Sequence, residues 1–175
     1  KLGAHHSASC IINSIDFQSV LTYQQQGNWD KVYELLLPEM RKLERAGAEI
    51  LAIASNTIHI LADRFESDCT SELIHIAEST GEKIRSDGGS RVGLIGTRFT
   101  MEKDFYTDRL RNQGLASVLP SLEERRELDK IIFSQLVKGV VSDSSKEKIQ
   151  KIIQNIVTER DADSIILGCT ELNVF

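Results

Sequence analysis

Three runs in the chain, EILAIA (49–54), RVGLIGT (91–97) and SIILG (164–168), carry apolar residues at successive as well as alternate positions. A strand sends successive side chains to opposite faces, so such runs belong where both faces of a sheet are covered, as in parallel sheets flanked by helices. The stretches between them have helical character. From Trp29 to Ala46 the apolar positions Val32, Leu35, Leu36, Met40 and Leu43 recur at helical spacing; Gly47 supplies a stop, and Pro38 is expected to kink or split the helix. Further helices are expected near 58–65, 71–86, 101–113, 122–138 and 144–160, with additional strands at SCIINSI (9–15) and ASVLP (116–120). Strands alternating with helices predict an α/β fold built on parallel sheets.

Composition narrows the function. With 41% hydrophobic and 27% charged residues in 175, the chain is long enough for one ordinary domain or two small lobes with a sizeable core. No apolar run approaches the roughly 20 residues that cross a bilayer, and no signal segment opens the chain, which points to the cytosol without a membrane partner. A net charge of −5 with scattered basic residues argues against nucleic acid. Cys10, Cys69 and Cys169 are an odd number without a CxxC pair, which argues against a disulfide framework and a thiolate metal site. His5 and His6 are adjacent and diverge on a strand, and GLIGT lacks both the GxGxxG spacing and a Walker lysine. Neither a metal nor an organic cofactor is expected. The chain starts without Met and stops just after TELNVF, so it is read as a piece of a longer protein, truncated at both ends.

Two of the apolar runs end in small hydrogen-bonding residues. GAEILAIASNT aligns with DADSIILGCTE so that Ser55 falls on Cys169, a weak internal repeat whose two copies both end in a nucleophile-type side chain. In parallel sheets ligands bind beyond the carboxyl ends of the strands, where the succeeding helices aim N–H groups and positive dipole ends at the crevice. Asn56 with Thr57, and Thr170 with Glu171, would then form carboxylate-binding nests. A thiol at a helix N-terminus has a lowered pKa, so Cys169 is expected to be partly thiolate. Ser55 has no base in its own turn; His59, one turn on, is a candidate helper. The competing structural roles are an N-cap for Ser55, a buried small thiol for Cys169 and a solvated turn for Gln24–Gln26.

The chain resembles the aspartate/glutamate racemase family along nearly its whole length: HSA at 6, SIDF at 14, GNWDK at 27, SNTIH at 55, GTRFTMEKDFY at 96 and GCTEL at 168. GTRFTME and GCTE together are specific, whereas SNT alone is not. The resemblance implies a cofactor-independent enzyme of two similar α/β lobes, with the active site in the cleft between them and usually a homodimer. The lobes are expected at 1–87, with its first strand missing, and at 88–175. In the family two cysteines at these turns work on opposite faces of the substrate α-carbon. Carried over, the catalytic pair is Ser55 and Cys169, with Gln24, Asn56, Thr57, Thr170 and Glu171 as substrate contacts. Ser55 departs from the family's cysteine. An alcohol is a far weaker acid than a thiol of pKa about 8.5, so Ser55 is expected to relay a proton while Cys169 is the principal base. The expected reaction is interconversion of L- and D-aspartate, glutamate or both. A single-cysteine decarboxylase of the same superfamily and a non-catalytic binder of dicarboxylic amino acids remain alternatives.

Overall fold

The computed structural model describes residues 7–174; His5, His6 and Phe175 lie outside them. By contacts the chain groups into two compact units, one comprising residues up to Ala52 with Leu61–Ile74, the other Ile53–Ile60 with the chain from His75 onward. The turn 53–60 and the helix after His75, both expected within a first lobe ending at 87, thus group with the second unit.

The first unit holds helices α1 (Phe17–Gln25), α2 (Trp29–Arg45) and α3 (Ala62–Asp68) and strands β1 (Ile50–Ala52) and β2 (Glu72–Ile74). The Asp16 carboxylate caps α1 by accepting the Ser19 N–H at 3.1 Å, and the Asn28 side chain caps α2 through the Lys31 N–H at 3.2 Å. α2 buries Val32, Tyr33, Leu36 and Met40, and runs through Pro38 without splitting. β1 and β2 pair in parallel, Ile50 opposite Glu72 and Ala52 opposite Ile74. Three expectations change here. Residues 9–15 form no strand: they have no ladder partner among the described residues, and Ile12 stands 87% exposed. β2 occupies the start of what reads as a helix from 71, because three residues are too few for a period to show. β1 buries only Leu51, with Ile50 and Ala52 exposed, so it is not covered on both faces.

The second unit is a three-stranded parallel sheet in the order β4-β3-β5, with β3 (Arg91–Gly96) between β4 (Ala116–Val118) and β5 (Ser164–Gly168). Helices α4 (Ile76–Ser86), α5 (Arg98–Glu102), α6 (Asp104–Asn112), α7 (Leu122–Ser134) and α8 (Asp143–Arg160) surround it. β3 is buried from Val92 to Gly96, as a central strand should be. Val92 and Leu94 pack with Ala77, Tyr106 and Leu110 of α4 and α6 on one face. On the other, Ile95 joins Leu128, Ile131, Ile132, Ile149, Ile152 and Ile156 of α7 and α8. Gly93 keeps that second face flat, since a Cβ there would lie 2.5 Å from the Ile156 side chain. β5, paired only with β3 among the described residues, leaves Leu167 43% exposed, against the expectation of full coverage. The helix expected over 101–113 is two, α5 and α6, separated by extended backbone at Lys103, and α7 stops at Ser134 before a 3-10 turn over Leu136–Lys138. Among the described residues no helix is long and apolar enough to cross a membrane.

β3 and β5 meet at their carboxyl ends through Gly96 opposite Gly168, where a Cβ on Gly96 would come within 2.7 Å of the Gly168 carbonyl oxygen. That neighbour is backbone and cannot rotate away. Gly96→Ala should therefore cost about 1–3 kcal/mol of stability, read as a lower urea midpoint at unchanged slope.

Candidate functional site

Beyond the Gly96–Gly168 pair the chain makes two turns. After β3, the Thr97 hydroxyl caps α5 by accepting the Thr100 N–H at 3.4 Å. After β5 come Cys169 and a 3-10 turn over Thr170–Val174. The Ser55-Asn56-Thr57 turn joins them through side chains. The Thr57, Thr97 and Thr100 hydroxyl oxygens form a buried triangle with separations of 3.1, 3.3 and 3.2 Å. Thr100 also backs onto the other turn, since a Cβ on Gly168 would sit 3.1 Å from its methyl group. The segments SNT and GCT are thus both seated on the GTRFT turn at the end of β3. A sequence motif marks GTRFT, but its role as the common seat comes from side-chain geometry that spacing does not encode.

Ser55 is half-buried and Asn56 and Thr57 are buried. Thr57–Leu61 is a 3-10 helix, so the His59 N–H reaches the Asn56 carbonyl at 3.2 Å and not that of Ser55. The Ser55 carbonyl is satisfied instead by the His59 side chain, whose Nδ1 lies 2.8 Å away. His59 Nε2 accepts the Ile76 N–H at 3.2 Å. With both ring nitrogens engaged by backbone, His59 is not a base for the Ser55 hydroxyl, which corrects the helper role expected of it. Its ring also meets His75 edge-on at 4.7 Å between centroids, and His75 Nδ1 caps α4 by accepting the Ala77 N–H.

Cys169 is 8% exposed, and its thiol donates to Glu171 Oε2 at 2.9 Å. The same carboxylate oxygen accepts the Thr170 hydroxyl at 2.7 Å. Burial, then the hydrogen bond to Glu171, pushes the Cys169 thiol up to about 12. For Glu171, burial opposes ionisation, but the hydrogen bonds from Cys169 and Thr170 outweigh it and hold the carboxyl below its usual range. The expectation of a partial thiolate is therefore reversed. Burial and the adjacent Glu171 carboxylate, which accepts the thiol proton's hydrogen bond, both favour the neutral form.

The expected substrate contacts are carried by several elements. Thr57 and the Thr170–Glu171 pair belong to the turns just described. Asn56 lines a pocket of about 450 Å³ with Ser79, Thr80, Lys83 and Tyr106. Gln24 lies in the other unit, 4% exposed in the last turn of α1, so the solvated turn expected for Gln24–Gln26 holds only for Gln25 and Gln26. Among the described residues no three or more His, Cys, Asp or Glu side chains gather as a metal-binding set.

The Asp/Glu/Hydantoin racemase family model matches residues 1–175. The chain belongs to this family. Its fold superposes on the crystal structure of a candidate Asp/Glu racemase from Yersinia pestis, 35% identical, with a TM-score of 0.88 over 99% of this chain and 75% of that one. An aspartate racemase homologue from Pyrococcus horikoshii is 34% identical, with a TM-score of 0.82 and the same coverage. The broad specificity amino-acid racemase RacX of Bacillus subtilis is 22% identical over 171 residues, 92% of this chain and 72% of RacX.

The Cys169 environment makes a titration prediction. With Cys10 and Cys69 replaced by Ala, ultraviolet thiolate absorbance should stay absent at neutral pH and emerge only toward pH 12. Glu171→Gln should bring it to lower pH by removing the adjacent negative charge. The folded chain holds this proton more tightly than an ordinary thiol at 9.0, so the associated stability is complete below pH 9.0 and declines as pH rises from there to about 12.

Proposed function

We propose that the protein is a cofactor-independent racemase interconverting L- and D-aspartate, glutamate or both. The observation that supports it best is the Cys169 thiol, held at the end of β5 with its S–H donating to Glu171, in a chain of a racemase family. Removing an α-proton needs a base on one face of the α-carbon, and inversion needs an acid on the other. In this reading Cys169 serves the L face, as in the family it resembles. The ligand-free thiol is too weak an acid to ionise near neutrality, so the substrate ammonium must favour the thiolate while Glu171 takes up the thiol proton. The thiolate sulfur then takes the α-proton, leaving a carbanion. Ser55 protonates the opposite face, directly or through a water, and recovers its proton from solvent. The reverse sequence converts D to L.

Asn56, Thr57, Thr170 and Gln24 are proposed to hold the substrate carboxylates and ammonium. A cytosolic homodimer with a free amino acid as its small-molecule partner, and neither nucleic acid nor membrane, completes the proposal. The protonated resting state of Cys169 also suits a decarboxylase, which needs one acid to quench a carbanion formed by loss of CO₂.

Proton NMR of L- and D-aspartate and glutamate in D₂O with the full chain separates these readings. Racemisation appears as loss of the α-hydrogen with growth of the other enantiomer. Decarboxylation gives a new amine, and binding without loss of the α-hydrogen indicates a silent binder. Cys169→Ser should abolish exchange from both enantiomers. Ser55→Ala should lower racemisation while leaving exchange with retention from the L enantiomer, and Ser55→Cys should raise the rate from the D side. The solution equilibrium constant between enantiomers is unity, so these variants change the kinetics of the two directions but not their overall ratio. If Ser55→Ala silences both directions and Ser55→Cys leaves the D side unchanged, Ser55 is a structural cap and the two-turn mechanism fails.

A further inference from the structure

We infer that His59 is a positioning residue for Ser55, a neutral imidazole of fixed tautomer that replaces a missing backbone hydrogen bond at the turn carrying the Ser55 hydroxyl. The assignment of Ser55 to proton transfer rests on the proposed racemase reading; the tautomer and the bracing do not.

The direction of both hydrogen bonds is forced by chemistry. A carbonyl oxygen can only accept, so the 2.8 Å contact between His59 Nδ1 and the Ser55 carbonyl requires the proton on Nδ1. A backbone N–H can only donate, so the 3.2 Å contact from Ile76 requires a bare lone pair on Nε2. The imidazole is therefore neutral, with Nδ1 protonated, and it ties Ser55 to the first residue of α4. The need for it is local. Had the turn begun as an α-helix, the His59 N–H would have bonded the Ser55 carbonyl; the 3-10 geometry sends that N–H to Asn56. The side chain of the same residue fills the vacancy, at a site where His59 is 1% exposed and water is largely excluded. The edge-on ring of His75, itself fixed as the cap of α4, limits rotation of the imidazole. Peptide 55–56 is thereby braced against α4, while the threonine triangle anchors the turn at Thr57.

Two amide side chains divide the roles. The Asn side-chain N–H falls near Nδ1, so His59→Asn keeps the bond to Ser55 and loses the one to Ile76. The Gln side-chain oxygen falls near Nε2, so His59→Gln does the reverse. If His59 acts through Ser55, His59→Gln should reproduce Ser55→Ala: conversion from the D enantiomer falls at least tenfold in kcat with little change in KM. Solvent exchange with retention from the L enantiomer should persist, and His59→Asn should stay within about threefold of the parent in both directions. Loss of L-side solvent exchange together with racemisation, to the same extent in both variants and tracking their loss of stability, would overturn the assignment.

Nitrogen-15 NMR of the parent provides an arm independent of activity, with the expected spectrum showing Nδ1 protonated and Nε2 bare. The opposite tautomer, or a doubly protonated ring at neutral pH, would sink the inference even if the protein racemises. If no substrate loses its α-hydrogen, the racemase reading fails on its own. The bracing is then decided by amide hydrogen exchange over residues 55–57, expected to accelerate in His59→Gln and not in His59→Asn, with the reverse pattern counting against it.

Discussion

The backbone contact between Gly96 and Gly168 governs how the second unit is assembled. Where two parallel strands end side by side, a Cβ on either residue would push against the other strand's carbonyl, and the chains leaving them would diverge. With neither Cβ present the strands stay in register to their last residues. The turn after β3 then lies against the turn after β5, with Thr100 behind Gly168. Everything proposed for the site depends on that closeness: Thr97 and Thr100 can receive Thr57 only because the turn bearing them is held flat against the sheet end. The burial of β3 between two layers of helices provides the rigidity, and the paired glycines provide the shape.

Much of this was legible in the sequence, and the rest was hidden for identifiable reasons. The central strand was plain because RVGLIG is apolar throughout, and its flanking helices were plain because they are long enough for a period to emerge. β2 was not, since ELI is three residues between two helical patterns. Residues 9–15 have strand-like composition, yet strand formation needs a partner as well as a pattern. The motifs SNT and GCT could be picked out as chemically interesting residues beyond strand ends. Their charge states could not, because they depend on how deeply the thiol is buried and on where one carboxylate folds back.

Cys169 shows how far local electrostatics can depart from a motif's usual meaning. A cysteine before a helix suggests a stabilised thiolate; the same cysteine, buried beside a half-buried carboxylate two residues along, is a stabilised thiol. Glu171 is kept ionised by the hydrogen bonds it receives from Cys169 and Thr170. The resting site therefore carries its negative charge on oxygen, and ionising the sulfur without moving its proton there would place two negative groups in contact.

The triangle of threonine hydroxyls links the turns in a way that an ion pair could not. Each hydroxyl has one proton to give and lone pairs with which to receive, so a closed three-membered ring can be drawn with its donors running in either sense. Being neutral, the ring carries no charge from one turn to the other. Its hydroxyls can turn in place as the charge around them changes, while their oxygens stay put. The structure thus locks the two turns in position while leaving them free in polarity, a joint that transmits place but not sign.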